Sequence, residues 1–262
     1  MFHDAVYISK DVSIPETFLA GPPSTPITVH PIDFANSALP EYKGSTAIIL
    51  ENVLSKEECE QLLGLAEASV PIQDGESPWK PALVSAGPGG MERAAPGYRE
   101  SDRIVWDQQR VADLIWARCC QAEGIAELMA TVPAGPRDKK GLWKFERCNQ
   151  RLRFLKYSPG QFFKPHVDGP FWYEDETGDY QTHYTAHLYL NDSAEVDPNS
   201  DLVGGATSFL VRDPRKGRVD VNPRAGSVLI FQHQGLLHEG AVVKSGVKYT
   251  VRTDILYKWT GQ

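Results

Sequence analysis

Positive charge is in deficit in this chain. Its 262 residues carry 27 Lys+Arg against 34 Asp+Glu, a formal net charge of −7, so sequence-independent binding to DNA or RNA, which needs a basic surface to release counterions, is not expected. Long apolar runs are also missing. No stretch approaches the roughly 18 residues of a membrane span, so no membrane partner is expected. The N-terminus, Met1-Phe2-His3-Asp4-Ala5, has no basic start followed by an apolar core, which argues against a secretory signal. Cysteine is scarce: Cys59, Cys119, Cys120 and Cys148 are too few and too irregularly spaced for a disulfide framework, and reduced thiols in a cytoplasmic protein are the simplest reading. No internal repeat is visible. What is present is an ordinary globular composition, 41% hydrophobic and 23% charged, in a chain long enough to bury a core without cross-links.

Residues 1–44 are rich in Pro, Ser and Thr, with Gly21-Pro22-Pro23-Ser24-Thr25-Pro26 at the centre, and read as an extended N-terminal arm. Thr46–Leu50 reads as a strand. Ser55 followed by Glu58 forms a capping box, and Cys59, Leu62, Leu63 and Ala66 then recur at helical spacing. Residues 71–101, dense in Pro and Gly, read as loop. Asp107 is placed to cap a second helix with Val111, Leu114, Ile115, Cys119 and Ala122 on one face and Gly124 past its end. From Leu142 the texture becomes β-rich: Leu152–Tyr157, Ala186–Leu190, Thr207–Val211, Val228–Phe231 and Tyr249–Tyr257 are short apolar runs between turn residues, the pattern of a sandwich, jelly roll or barrel. The expectation is a single α+β domain over 45–262, with helical support in 45–141 and the β core in 142–262.

Among seven histidines, only His166 has an aspartate two residues on, in His166-Val167-Asp168. On a strand, positions i and i+2 share a face, so imidazole and carboxylate can converge on one ion. His238, just beyond the apolar run Val228–Phe231, is the candidate third ligand. Two imidazoles and one carboxylate make the facial triad that suits non-haem Fe(II) and leaves positions open. Either histidine alone reads more simply as a core or surface residue. Lys248 and Arg252, on one face of the last strand, add weight: a cation inside a barrel is costly without an anionic partner, and an anionic co-substrate would supply one.

These residues resemble the prolyl-4-hydroxylase-like branch of the Fe(II)/2-oxoglutarate-dependent oxygenases. The match runs from about residue 46 to 258 through Tyr157-Ser158-Pro159-Gly160, His166-Val167-Asp168, Leu188-Tyr189-Leu190-Asn191, Gly204-Gly205-Ala206-Thr207, His238 and Lys248. The resemblance implies a double-stranded β-helix (jelly-roll) core with flanking N-terminal helices, and Fe(II) held by His166, Asp168 and His238. It implies 2-oxoglutarate chelating the iron, with Tyr157, Tyr189 and Thr207 at the co-substrate and Lys248 or Arg252 anchoring its distal carboxylate. It also implies O2 as the oxidant and allows ascorbate as a supporting reductant. The implied reaction decarboxylates 2-oxoglutarate to succinate and CO2 and hydroxylates a second substrate, with desaturation and ring formation left open. Because Asp168 is present, halogenation is disfavoured.

The segment Gly169-Pro170-Phe171-Trp172-Tyr173-Glu174-Asp175-Glu176-Thr177-Gly178-Asp179-Tyr180 departs from the family pattern. It reads as a loop at the mouth of the site, with Trp172 a candidate substrate contact. Arg153 shares a strand face with Tyr157 and is a candidate for a substrate carboxylate, as is Arg103. His183, His187 and His233 read as structural or lining residues. The leading expectation is a soluble oxygenase hydroxylating a small amino-acid-like or natural-product substrate. The alternatives are a hydroxylase of prolyl or other residues in a cytosolic protein, and a non-catalytic jelly-roll that keeps its metal for structure.

Overall fold

The computed structural model describes residues 3–4, 7–85, 91–135, 140–213 and 215–261. Antiparallel strands dominate it, and two of its sheets face each other to make the jelly roll. The larger sheet runs in the order Thr28–Pro31, Ala47–Glu51, Val228–Gln232, Gly178–Tyr189, Lys248–Trp259, Arg151–Tyr157, Asp102–Asp107, Lys80–Pro81, with Leu142–Cys148 also paired to Lys248–Trp259. The smaller sheet runs Val219–Val221, Thr207–Phe209, His238–Gly240, Phe162–His166, Arg99–Glu100.

Alternation along the central Lys248–Trp259 strand divides the interior in two. Tyr249, Val251, Ile255 and Tyr257 join the core formed with the helices, where Leu152, Phe154, Ile230 and Leu188 also lie. The opposite face, carrying Lys248, Thr250, Arg252 and Asp254, looks between the sheets. There a second apolar cluster of Phe209, Leu229, Phe231 and Tyr189 closes one end of the roll.

Two helices back the larger sheet. Lys56–Ser69 starts at the expected capping box: the Glu58 backbone N–H donates to Ser55 Oγ at 3.2 Å and the Ser55 N–H donates to the Glu58 carboxylate at 2.8 Å. Cys59, Leu62 and Ala66 are buried, whereas Leu63 is only partly so. Gln109–Cys119 is capped by Gln108 rather than Asp107, because Asp107 ends the preceding strand and takes a two-point ion pair from Arg151 at 2.8 and 2.7 Å. Val111, Ile115 and Cys119 are buried on this helix. Gly124, at φ 79°, caps the short Ile125–Leu128 turn that follows. Arg118, 2% exposed, ties the helices together by donating to Glu58 (2.8 Å) and to the Val53 carbonyl (3.1 Å).

The N-terminal region is more than an arm. Thr28–Pro31 adds a strand to the larger sheet beside Ala47–Glu51, and Phe18, Leu19, Phe34 and Leu39 are buried. The stretch read as loop over 71–101 contains the short strands Lys80–Pro81, Val84–Ser85, Met91–Arg93 and Arg99–Glu100. Asp102–Asp107, not expected as a strand, is buried on both faces over Arg103–Trp106 and so shows no alternation.

Candidate active site

His166 ends the Phe162–His166 strand and His238 begins the His238–Gly240 strand. The two residues sit directly opposite one another in antiparallel register. Asp168 lies past the strand end, so strand alternation is not what brings it in. It is placed instead by two donors: Thr185 Oγ1 at 2.7 Å on one carboxylate oxygen and Arg252 Nη1 at 2.9 Å on the other. One potential ligand atom from each of His166, Asp168 and His238 falls within a 4.8 Å cluster, with His166 Nε2 3.7 Å and His238 Nε2 3.8 Å from the carboxylate.

Both imidazoles are oriented through their far nitrogens. His166 Nδ1 lies 2.8 Å from the Lys164 carbonyl and His238 Nδ1 3.1 Å from the Leu236 carbonyl. A carbonyl only accepts, so Nδ1 carries the proton and Nε2 presents its lone pair to the cluster. Burial, with His238 alongside, brings His166 down to about 3; burial also lowers His238. Both rings are therefore neutral ligands near pH 7. Burial alone would raise Asp168, but Arg252 and the two imidazoles outweigh it and hold the carboxyl well below the usual range. Two neutral imidazoles and one carboxylate, converging and deprotonated, fit a divalent cation with sites left open.

Deeper in the cavity stands Lys248, 3% exposed. Its Nζ lies 5.3 Å from the Tyr157 ring and 5.6 Å from the Tyr189 ring, and among the described residues it has no carboxylate partner. Burial lowers it to about 7. A buried polar atom of the cavity lining is also left over: among the described residues His187 Nε2 has no hydrogen-bond partner. An anion bound beside Lys248 gives these groups what the protein does not. Tyr189 donates to Thr207 Oγ1 at 2.7 Å. Arg252 differs from Lys248, because its guanidinium is taken up by Asp168 and, through Nη2, by Asp254 at 3.0 Å.

Arg153 faces the cavity with Nη1 3.1 Å from Asp254. Arg103 does not line it; it is buried against Glu92 at 2.6 Å and bonded to the Tyr7 hydroxyl. The segment after Asp168 is a hairpin, Trp172–Asp175 paired to the start of Gly178–Tyr189, with Tyr173 stacked on Tyr180. Trp172 is 67% exposed there and lies outside the cavity lining.

Sequence reasoning passed over Thr185, Asp254, Phe163 and Arg99. Thr185 was within reach, since it alternates with His187, read as a structural or lining residue and found in the lining, and with Tyr189 on one strand face. Arg99 was not, because it stands in a stretch whose composition reads as loop.

Residues 152–254 match the family model described as the 2OG-Fe(II) oxygenase superfamily. Over this stretch the chain matches a 2OG-Fe(II) oxygenase domain. No curated protein matches the chain. Among solved structures, a prolyl hydroxylase from Trichoplax adhaerens in complex with a hypoxia inducible factor peptide fragment is 13% identical, with a TM-score of 0.51 over 85% of this chain and 88% of that one. A Pseudomonas putida prolyl-4-hydroxylase is 16% identical (TM-score 0.49, 85% and 97% covered). A viral collagen prolyl hydroxylase from Paramecium Bursaria Chlorella virus-1 is 20% identical (TM-score 0.48, 81% and 97% covered). The first of these shares the jelly-roll fold with the present oxygenase. As a 2-oxoglutarate-dependent dioxygenase it uses Fe(II), 2-oxoglutarate and O2. No helix among its described residues is long and apolar enough to cross a membrane.

Proposed function

We propose that this dioxygenase hydroxylates a small amino-acid-like or natural-product molecule in a reducing compartment such as the cytoplasm, with 45–262 acting as one catalytic domain. The observation that carries the reading is Lys248, buried in the same cavity as the three converging ligands and, among the described residues, without a carboxylate partner.

His166, Asp168 and His238 would hold Fe(II), which supplies the redox chemistry coupling decarboxylation of 2-oxoglutarate to oxidation of the substrate. The protein's own groups do the rest. Lys248 Nζ donates to the distal carboxylate of 2-oxoglutarate, and the flanking Tyr157 and Tyr189 rings keep water from that ion pair. Thr207, fixed by Tyr189, sets the polar edge of the pocket. Arg252 and Thr185 keep the Asp168 carboxylate anionic and correctly turned. Arg252 is not given the anchoring role, because its Nη1 and Nη2 are already paired with Asp168 and Asp254.

The test is succinate release from 2-oxoglutarate with Fe(II), with or without ascorbate. Wild-type protein should form succinate and His166→Ala should not. Turnover that survives in His166→Ala overturns the assignment. A second reading, hydroxylation of a residue in a protein, draws on one observation: Val167, Phe171 and Trp172 stand 47%, 50% and 67% exposed beside the ligands and offer an apolar rim to a larger substrate. A +16 mass shift on extract peptides would favour it over the first.

A further inference from the structure

The charge inside the cavity is not balanced by 2-oxoglutarate. Its distal carboxylate is matched by Lys248, and its metal-binding end by the cation at His166, Asp168 and His238. Arg103, next door, is matched by Glu92, and Arg252 and Arg153 share Asp254, with Asp168 also on Arg252. Arg99 differs from them. It comes from the Arg99–Glu100 strand at the edge of the smaller sheet, where it pairs with Phe163, and its side chain lines the cavity. Its Nε donates to Ser101 Oγ at 3.2 Å and its Nη1 to the Leu83 carbonyl at 3.2 Å. Among the described residues no carboxylate pairs with it.

Two features make this arginine more than a stray surface charge. Its guanidinium carbon sits 4.6 Å over the Phe163 ring, and that ring is stacked on His166 with centroids 3.7 Å apart. Arg99 is therefore held rigidly one aromatic ring away from a metal ligand. Burial pulls it down to about 10, repulsion from Arg103 and Arg252 adds to this, and Tyr157 and Glu92 pull the other way. Like charges crowded into a desolvated cavity are costly unless an anion joins them. Arg153, whose Nη1 alone is engaged with a carboxylate, faces the same space from the larger sheet.

We propose that the primary substrate is a small free carboxylic acid, its carboxylate received by the guanidinium fork of Arg99 with Arg153 facing it across the cavity. The proposal rests on the oxygenase reading of the site and adds the substrate's chemical class. A fork of parallel N–H donors matches a carboxylate in two-point geometry, and one unmatched arginine calls for a monoanion rather than a phosphate dianion. The short path from Arg99 to His166 also puts the oxidised carbon only a few bonds from the acid group.

The experiment uses the free L-amino acids as probes, each against its C-terminal amide, with phosphoethanolamine as a phosphate-bearing arm. Succinate release above the substrate-free rate and a +16 product mass are read together. At least one acid should stimulate turnover, with its amide at least about tenfold weaker, as expected for loss of a charge-assisted bond. Arg99→Gln should lower kcat/KM for that acid on the order of 10- to 100-fold and bring the acid-to-amide ratio towards one, while Arg99→Lys retains part of the preference. The shift in Tm on adding Mn(II) and 2-oxoglutarate checks that each variant is folded. Amides as effective as acids, no acid stimulating turnover, preference for the phosphate arm, or an acid-to-amide ratio unchanged in Arg99→Gln would each overturn the proposal. Failure of the underlying oxygenase reading looks different: wild-type protein then gives neither substrate-free succinate nor a 2-oxoglutarate-dependent Tm shift.

Discussion

At the residue scale, Lys248 concentrates the conflict between stability and function. A lysine with 3% exposure and, among the described residues, no carboxylate partner destabilises the ligand-free protein, and the same property would suit it to the proposed role of receiving a dicarboxylate. Lys248→Met should raise the Tm of the ligand-free protein at pH 7 and raise the KM for 2-oxoglutarate roughly 10- to 150-fold, since a charged hydrogen bond of about 1.5–3 kcal/mol is lost. Thermal melts and succinate kinetics on one preparation check both halves; a lower Tm with unchanged KM would remove Lys248 from the role. The group also carries a pH signature. Its folded value is lowered from 10.5 to about 7, so between those limits the unfolded chain binds more protons and ligand-free stability rises with pH. Affinity for 2-oxoglutarate runs the other way. It is greatest where Lys248 is already charged and falls as pH rises through 7, by up to about tenfold per unit. Titration calorimetry between pH 6.5 and 9 should show this decline, and Lys248→Arg, charged throughout that range, should flatten it.

At the element scale, the Lys248–Trp259 strand is the spine. One face packs on the helices and the other lays out Lys248, Thr250, Arg252 and Asp254 between the sheets. Its hydrophobic alternation was visible in the sequence, as were the strands near Thr46–Leu50, Leu152–Tyr157 and Val228–Phe231 and the Ser55–Glu58 cap. These features rest on local chemistry: a period of two, a box of two side chains, a turn residue. The partners of the site were not legible for the same reason. That Arg252 reaches Asp168, or that Arg99 stacks through Phe163 onto His166, depends on which strands become neighbours across the roll, and periodicity does not encode that. Asp107 shows the competition in miniature, since it has the chemistry of a helix cap but Arg151 lies closer. Packing between elements also sets one glycine. Gly226, at φ +75°, donates its N–H to the Tyr189 carbonyl and accepts from Val53 and Leu54. A Cβ there would lie 1.8 Å from the Leu54 carbonyl oxygen. Gly226→Ala should therefore cost at least about 2 kcal/mol of stability, read by urea denaturation; a change within about 0.5 kcal/mol would contradict the tight seam between that turn and the segment entering the first helix.

At the scale of the whole molecule, the acidity is unevenly placed. Residues 1–141 carry 12 basic and 20 acidic side chains, and residues 142–262 carry 15 and 14. The half proposed to receive anions is nearly neutral, so the net charge does not oppose an acidic substrate. The thiols follow the fold in the same way. Cys59, Cys119 and Cys148 are buried, Cys120 is partly exposed, and burial raises all four. A thiol reagent at pH 8 should therefore label at most Cys120 quickly in the native protein and all four in guanidinium; rapid labelling of several native thiols would contradict the packing. The pairing of His166 with His238 has a consequence for assembly as well as chemistry. Because side chains alternate along a strand, a slip of one residue between Phe162–His166 and His238–Gly240 would send one histidine to the opposite face, and the ion could no longer be gripped by both. A metal held there would thus act as a pin that records the correct strand register of the smaller sheet. Amide hydrogen exchange should show its loss on chelation as faster exchange in those two strands, while the Lys248–Trp259 spine stays protected.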